Sequence, residues 1–138
     1  MVKVSINNKV EGIEKLQKIA LKICQKLGLT PDELTVTFLD INAMKKLHEK
    51  HLNDCSDTDI MTFDLRDEYG HCIDLYIGEE SLKEQSCHFR VSEEEECQRL
   101  IIHGLLHCAG YDDQNPEDKD KMFMVQEKLL KEIQDENE

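Results

Sequence analysis

The sequence predicts a single domain built from both strands and helices. Three observations carry this. Four short segments alternate in polarity or are rich in β-branched residues, as strands are, and five others repeat apolar residues every three or four positions, as helices do. The chain has 138 residues, which suits one modest core and leaves no room for separate cofactor and substrate domains. Although 34% of the residues are charged against 39% hydrophobic, the regular recurrence of apolar positions excludes wholesale disorder.

Val2 to Ile6 alternates like a short strand. Ile13, Leu16, Ile19, Ala20, Ile23 and Leu27 then keep helical spacing up to Gly28, which suits a helix stop, while Lys15, Lys18, Lys22 and Lys26 mark the wet face. Glu33 to Leu39 (ELTVTFL) reads as a second strand, and Asn42 is placed to cap a short helix that reaches Lys50. DIMTFDL and HCIDLYIG read as two strands around a reversal near Tyr69-Gly70, followed by a short helix from Ser81 to His88. Ser92 and Glu95 form an S-x-x-E capping box for a longer helix, and Glu93, Glu94 and Glu96 suit its positive end. That helix turns apolar from Cys97, with Leu100, Ile101, Leu105 and Leu106, and ends at Ala109-Gly110. Asn115-Pro116 opens the last helix, whose inward stripe is Met122, Val125, Leu129 and Ile133.

Charge is unevenly placed. Residues 1 to 50 carry nine Lys against six Asp/Glu, or +3, and residues 51 to 138 carry eight Lys/Arg against 24 Asp/Glu, or −16, giving the net −13. Such a charge repels polyanions at long range, so a nucleic-acid partner has to meet a local basic surface, such as a strip from Lys15 to Lys50, or a bound cation. No apolar run reaches the roughly 18 residues of a membrane span, and MVKVSINNKV lacks the basic-then-apolar layout of a secretion signal, so the expected location is the cytoplasm. The six cysteines contain no C-x-x-C pair and are expected to be reduced and mostly buried; His71-Cys72 and Cys87-His88 read as incidental packing rather than metal sites.

The stretch HGLLHCAGYDD, residues 103 to 113, stands apart. His103 and His107 are four apart, so on a helix they project from one face within reach of one cation. Gly110 ends that helix, and a turn there can return Tyr111, Asp112 or Asp113 beneath the imidazoles, with Asp113 the expected third ligand. The spacing H-x-x-x-H-x-x-G-x-x-D resembles the metzincin layout, a zincin-like metal-site helix, but the glutamate that acts there as general base is replaced by Gly104. Three ligands leave a position open for water, whose acidity the ion raises, and hydrolysis is the natural expectation. The bland reading is that His103 and His107 are capped core residues.

HGLLHCAGYDD resembles the signature H-G-x-L-H-L-x-G-Y-D-H of the YbeY family of single-domain, metal-dependent endoribonucleases, departing from it at Cys108 and Asp113. TDIMTF, Thr58 to Phe63, is similar to that family's T-D-V-L-S-F strand, and IDLYIGEE, Ile73 to Glu80, more loosely to its G-D-I-x-I-S strand. The resemblance implies an α+β domain, with a small mixed sheet of about four strands packed against helices, and one zinc-type ion (Zn2+) on His103, His107 and Asp113, with His103 and His107 in catalysis. It also implies action on ribosomal RNA, including the 3′ end of the small-subunit rRNA, with ribosome quality control and ribosome-associated partners. Where the family carries an arginine six residues before the threonine, this chain has Leu52, so Lys50 or His51 is expected to supply positive charge toward the substrate. A non-catalytic ribosome-assembly factor and a small metallopeptidase are the alternatives; the missing glutamate at position 104 opposes the second.

Overall fold

The computed structural model describes residues 2–9, 11–50 and 60–136. In chain order they form strand β1 (Lys3–Asn7), helix α1 (Ile13–Leu27), β2 (Glu33–Leu39), α2 (Ile41–Lys50), β3 (Ile60–Asp67), β4 (Gly70–Gly78) and helices α3 (Glu79–Phe89), α4 (Glu93–Cys108) and α5 (Pro116–Glu136). The four strands make one sheet in the order β1-β2-β4-β3. β1 and β4 lie parallel to β2, and β3 runs antiparallel to β4, so the sheet is mixed. No helix is long and apolar enough to cross a membrane among the described residues.

Alternation in the strands sets the core. Leu34, Val36 and Phe38 of β2 and Ile73, Leu75 and Ile77 of β4 are buried in one cluster with Ile19 and Ile23 of α1 and Ile101, Ile102 and Leu105 of α4. The β3–β4 reversal is held by Asp67, whose Oδ1 accepts from the backbone N–H of Tyr69 at 2.7 Å and of Gly70 at 3.0 Å. Ser92 Oγ accepts from Glu95 N–H at 3.0 Å, and Asn115 Oδ1 from Asp118 N–H at 2.9 Å, as their positions in the sequence require.

Four expectations change. The cap of α2 is Asp40, whose Oδ1 accepts from Ala43 N–H at 2.8 Å, because the helix starts at Ile41 and Asn42 already lies inside it. Helix α3 starts at Glu79, directly from the end of β4, rather than at Ser81. The α1 lysines do not form a free basic strip: Lys15 pairs with Glu94, Lys22 with Glu136 at 3.0 Å, and Lys26 with Glu136 at 2.8 Å and Glu132 at 3.4 Å. Helix α1 packs against α4 and α5, so acids remote in sequence lie beside it. Finally, Cys72 and Cys87 are exposed, whereas Cys24 and Cys97 are buried. Burial pushes the Cys24 thiol up to about 11 and the Cys97 thiol up to about 12. Cys55 lies outside the described residues.

Helix α4 is the centre of the molecule, touching α1, α3, α5, β3 and β4. Its approach to the hairpin is set by Gly104. A Cβ added there falls 2.9 Å from Thr62 Oγ1, 3.0 Å from Leu75 Cδ2 and 3.1 Å from Ile60 Cδ1, closer than ordinary contact. The helix therefore needs a residue without a side chain at this turn. Gly104→Val is expected to lower stability by on the order of 3 kcal/mol through overpacking, read as a fall in the urea midpoint, despite the better intrinsic helix propensity of valine. An unchanged midpoint contradicts the tight seat.

Candidate metal centre

The end of α4 is shaped by a Schellman motif. Tyr111 N–H donates to Leu106 O at 3.0 Å and Gly110 N–H to His107 O at 3.1 Å, with Gly110 at φ 100°. Tyr111 packs against the core and pins the turn. The chain thereby reverses and carries Asp113 back toward the exposed stripe of α4, where His103 and His107 are half-buried.

The three side chains converge. The Nε2 atoms of His103 and His107 are 3.3 Å apart, and Asp113 Oδ2 lies 3.8 Å from the first and 3.6 Å from the second. The two rings meet edge to face, with centroids 4.8 Å apart. Among the described residues this is the one group of three or more His, Cys, Asp or Glu donors close enough to share an ion. Neither neighbouring His-Cys pair forms such a group: His71 Nε2 bonds Asp64 Oδ1 at 2.5 Å, and His88 packs on Phe89.

A second layer, missed in the sequence, fixes the protons. His103 Nδ1 is 2.9 Å from Gln126 Oε1, while Gln126 Nε2 donates to Glu127 Oε2 at 3.2 Å. The second bond sets the amide orientation, so the oxygen faces His103 and His103 Nδ1 must be the N–H. The lone pair on Nε2 then points into the cluster. Glu127 is held by Arg99, whose Nε donates at 2.9 Å, and Arg99 also meets Glu96 at 3.0 Å. Burial lowers the His103 pKa, the hydrogen bond to Gln126 acts against this, and His107 adds to the lowering. The net shift favours the neutral ring, the state a metal requires. Gln126 breaks the apolar stripe of α5 between Met122 and Leu129 and is only 6% exposed, a polar residue in a core register, which is the signal that marks it in the sequence.

Two imidazole nitrogens and one carboxylate close together, with His103 backed by a hydrogen bond, fit a divalent ion chemically. The turn of α4 that carries a glutamate in a metzincin is Gly104, and it faces Thr62, Ile60 and Leu75 instead of the cluster. No carboxylate fits there.

A family model for Endoribonuclease YbeY matches residues 2–134. The chain belongs to the YbeY family. Endoribonuclease YbeY of Renibacterium salmoninarum is 34% identical over 92% of this chain and 90% of its own, and that of Oceanobacillus iheyensis is 32% identical over 88% and 87%. The solution structure of TM1509 from Thermotoga maritima superimposes with a TM-score of 0.66 at 27% identity, covering 99% of this chain and 91% of that one. The α+β fold with its four-stranded mixed sheet, expected from resemblance to the YbeY family, is the fold found here. Of the positions singled out in the sequence, His103, His107 and Asp113 come together. Lys50 is exposed at the end of α2 and does not line the cleft beside the cluster, and His51 and Leu52 lie outside the described residues.

The Arg99–Glu127 pair predicts an acid limb in stability. Burial raises the Glu127 pKa, but hydrogen bonds from Arg99 and Gln126 outweigh it and hold the carboxyl below its ordinary 4.5. With the folded value below the unfolded one, the contribution is complete above 4.5 and is lost as pH falls through the lower folded value. Glu127→Gln is expected to flatten the fall in urea midpoint between about pH 5 and pH 3. An acid limb as steep as in the parent would contradict the relay.

Proposed function

We propose that this chain is a metal-dependent endoribonuclease that cuts ribosomal RNA during maturation, including the 3′ end of the small-subunit rRNA, and serves ribosome quality control with ribosome-associated partners in the cytoplasm. The observation that carries the reading is the convergence of His103, His107 and Asp113 in a chain of the YbeY family. His103 and His107 would hold one divalent ion through Nε2, with Asp113 as the third ligand through a carboxylate oxygen. When bound, the ion neutralises a phosphate oxygen and makes a coordinated water more acidic.

The donor types support Zn2+: two imidazole nitrogens and one carboxylate are ligands that zinc takes at sites with a position left open for water. The chain's own residues prepare this chemistry. Gln126 keeps the His103 proton on Nδ1, and the half-buried rings leave one side of the cluster facing solvent, where a phosphodiester can approach. Lys50 and His51 are proposed to add positive charge toward the RNA. Peptide hydrolysis is disfavoured, because position 104 has no room for a general base.

Purified protein with Zn2+ is expected to cut structured ribosomal RNA, and His107→Ala to abolish cutting while keeping its circular dichroism and melting temperature. Cutting undiminished in His107→Ala would refute the assignment. Gln126→Leu is expected to weaken Zn2+ binding by about 10- to 100-fold, measured by competition with a chromophoric chelator, since it frees the His103 tautomer. Parental affinity in that variant would remove Gln126 from the site.

A further inference from the structure

We propose, on the basis of the nuclease reading above, that the cleft between α4 and α5 is a seat for one RNA nucleotide, in which Phe123 stacks on the base and Lys119 meets the phosphate. The cleft has a volume of about 240 Å³, with His103 and Asp113 on one side and Lys119, Asp120 and Phe123 on the other. Lys119, Phe123 and Gln126 fall at i, i+4 and i+7 of α5, so they share one face, and Gln126 ties that face to His103. A molecule in this cleft therefore lies directly beside the metal cluster.

Two features of the cleft ask for a ligand. Phe123 is 58% exposed, although its neighbour Met122 is buried at 2%, so the chain leaves an aromatic residue in water at the rim of a polar site. Lys119 lines the cleft and has no ion-pair partner among the described residues, so its ammonium is available to an anion entering there. Asp120 offsets Lys119 within the cleft, so phosphate is drawn in only when the ion adds its charge. One aromatic ring reads no sequence, because every base offers a π-face, and this agrees with the scarcity of aromatics in the chain, 5% with no Trp.

The test uses the full chain loaded with Zn2+, a fluorescein-labelled RNA hexanucleotide read by anisotropy, and steady-state cleavage of structured RNA. Phe123→Ala is expected to weaken hexanucleotide binding and raise KM by roughly tenfold, within the range for one stacked base, with kcat affected less. Phe123→Trp is expected to retain binding and Phe123→Leu to lose it, which separates stacking from apolar bulk. Lys119→Ala is expected to reduce the salt slope of binding by about 1, and Lys119→Arg to preserve it. Parental KM, affinity and salt slope in Phe123→Ala and Lys119→Ala, alongside loss of cutting in His107→Ala, would overturn the nucleotide seat and leave the nuclease reading standing. If the parent protein cuts no RNA, the nuclease reading falls, while the anisotropy series still decides the seat. Self-association abolished by Phe123→Ala with RNA binding intact would overturn the seat in favour of a protein contact.

Discussion

Everything at the site depends on how closely α4 lies against the β3–β4 hairpin. Without a side chain at Gly104 the helix backbone settles onto Thr62, Ile60 and Leu75, and its remaining faces are taken up by α1, α3 and α5. Gln98, Leu100, Ile101, Ile102, Leu105 and Leu106 are all buried, which leaves His103 and His107 as the half-open stripe. A helix gripped on so many sides has little freedom to rotate, so the two imidazoles hold their separation without help from a bound ligand. The same contact that positions the histidines also removes the space in which a peptidase would keep its base.

Charge is organised around that helix. The surplus acids of the second half are used as partners as well as solubilising surface: Glu94 and Glu136 take up α1 lysines, while Glu95, Glu96 and Glu127 surround Arg99. The pairs at the α1 surface reach solvent, where screening leaves each of them little net worth. The Arg99 group is different, because Glu96 is buried and the guanidinium is anchored on three carboxylates, which hold its pKa above the ordinary value, chiefly through Glu127. Three lysines of the strip, Lys15, Lys22 and Lys26, are taken up by these pairings, which weakens its attraction for a polyanion.

Much of this was legible in the chain. Strand alternation, the Ser92 and Asn115 caps, the Gly110 stop and the His103/His107 spacing are local features, and each is written in residues within one or two turns of the place where it acts. What escaped reading was non-local. The sheet order β1-β2-β4-β3 depends on which strands meet after long connections, and nothing in Lys15 or Lys26 names the acids on α4 and α5 that face them. Asp40 and Asn42 are equally able caps, and only the actual start of α2 chooses between them. Gly104 was readable as a missing base but not as a packing requirement, since the atoms that crowd it come from strands 29 to 44 positions earlier. Gln126 was visible as a polar break in an apolar stripe, yet its purpose depends on a histidine 23 residues away.

The tether from Gln126 to His103 also imposes an order in time. Synthesis runs from the amino to the carboxyl end, and Gln126 and Glu127 emerge only after the sheet, both imidazoles and Asp113 have left the exit tunnel. A nascent chain at that stage has every donor of the cluster but nothing to hold the proton on Nδ1 of His103. Addition of Gln126 is thus the step that completes the tether, and a chain cut between Asp113 and Gln126 would keep every donor of the cluster while lacking that bond.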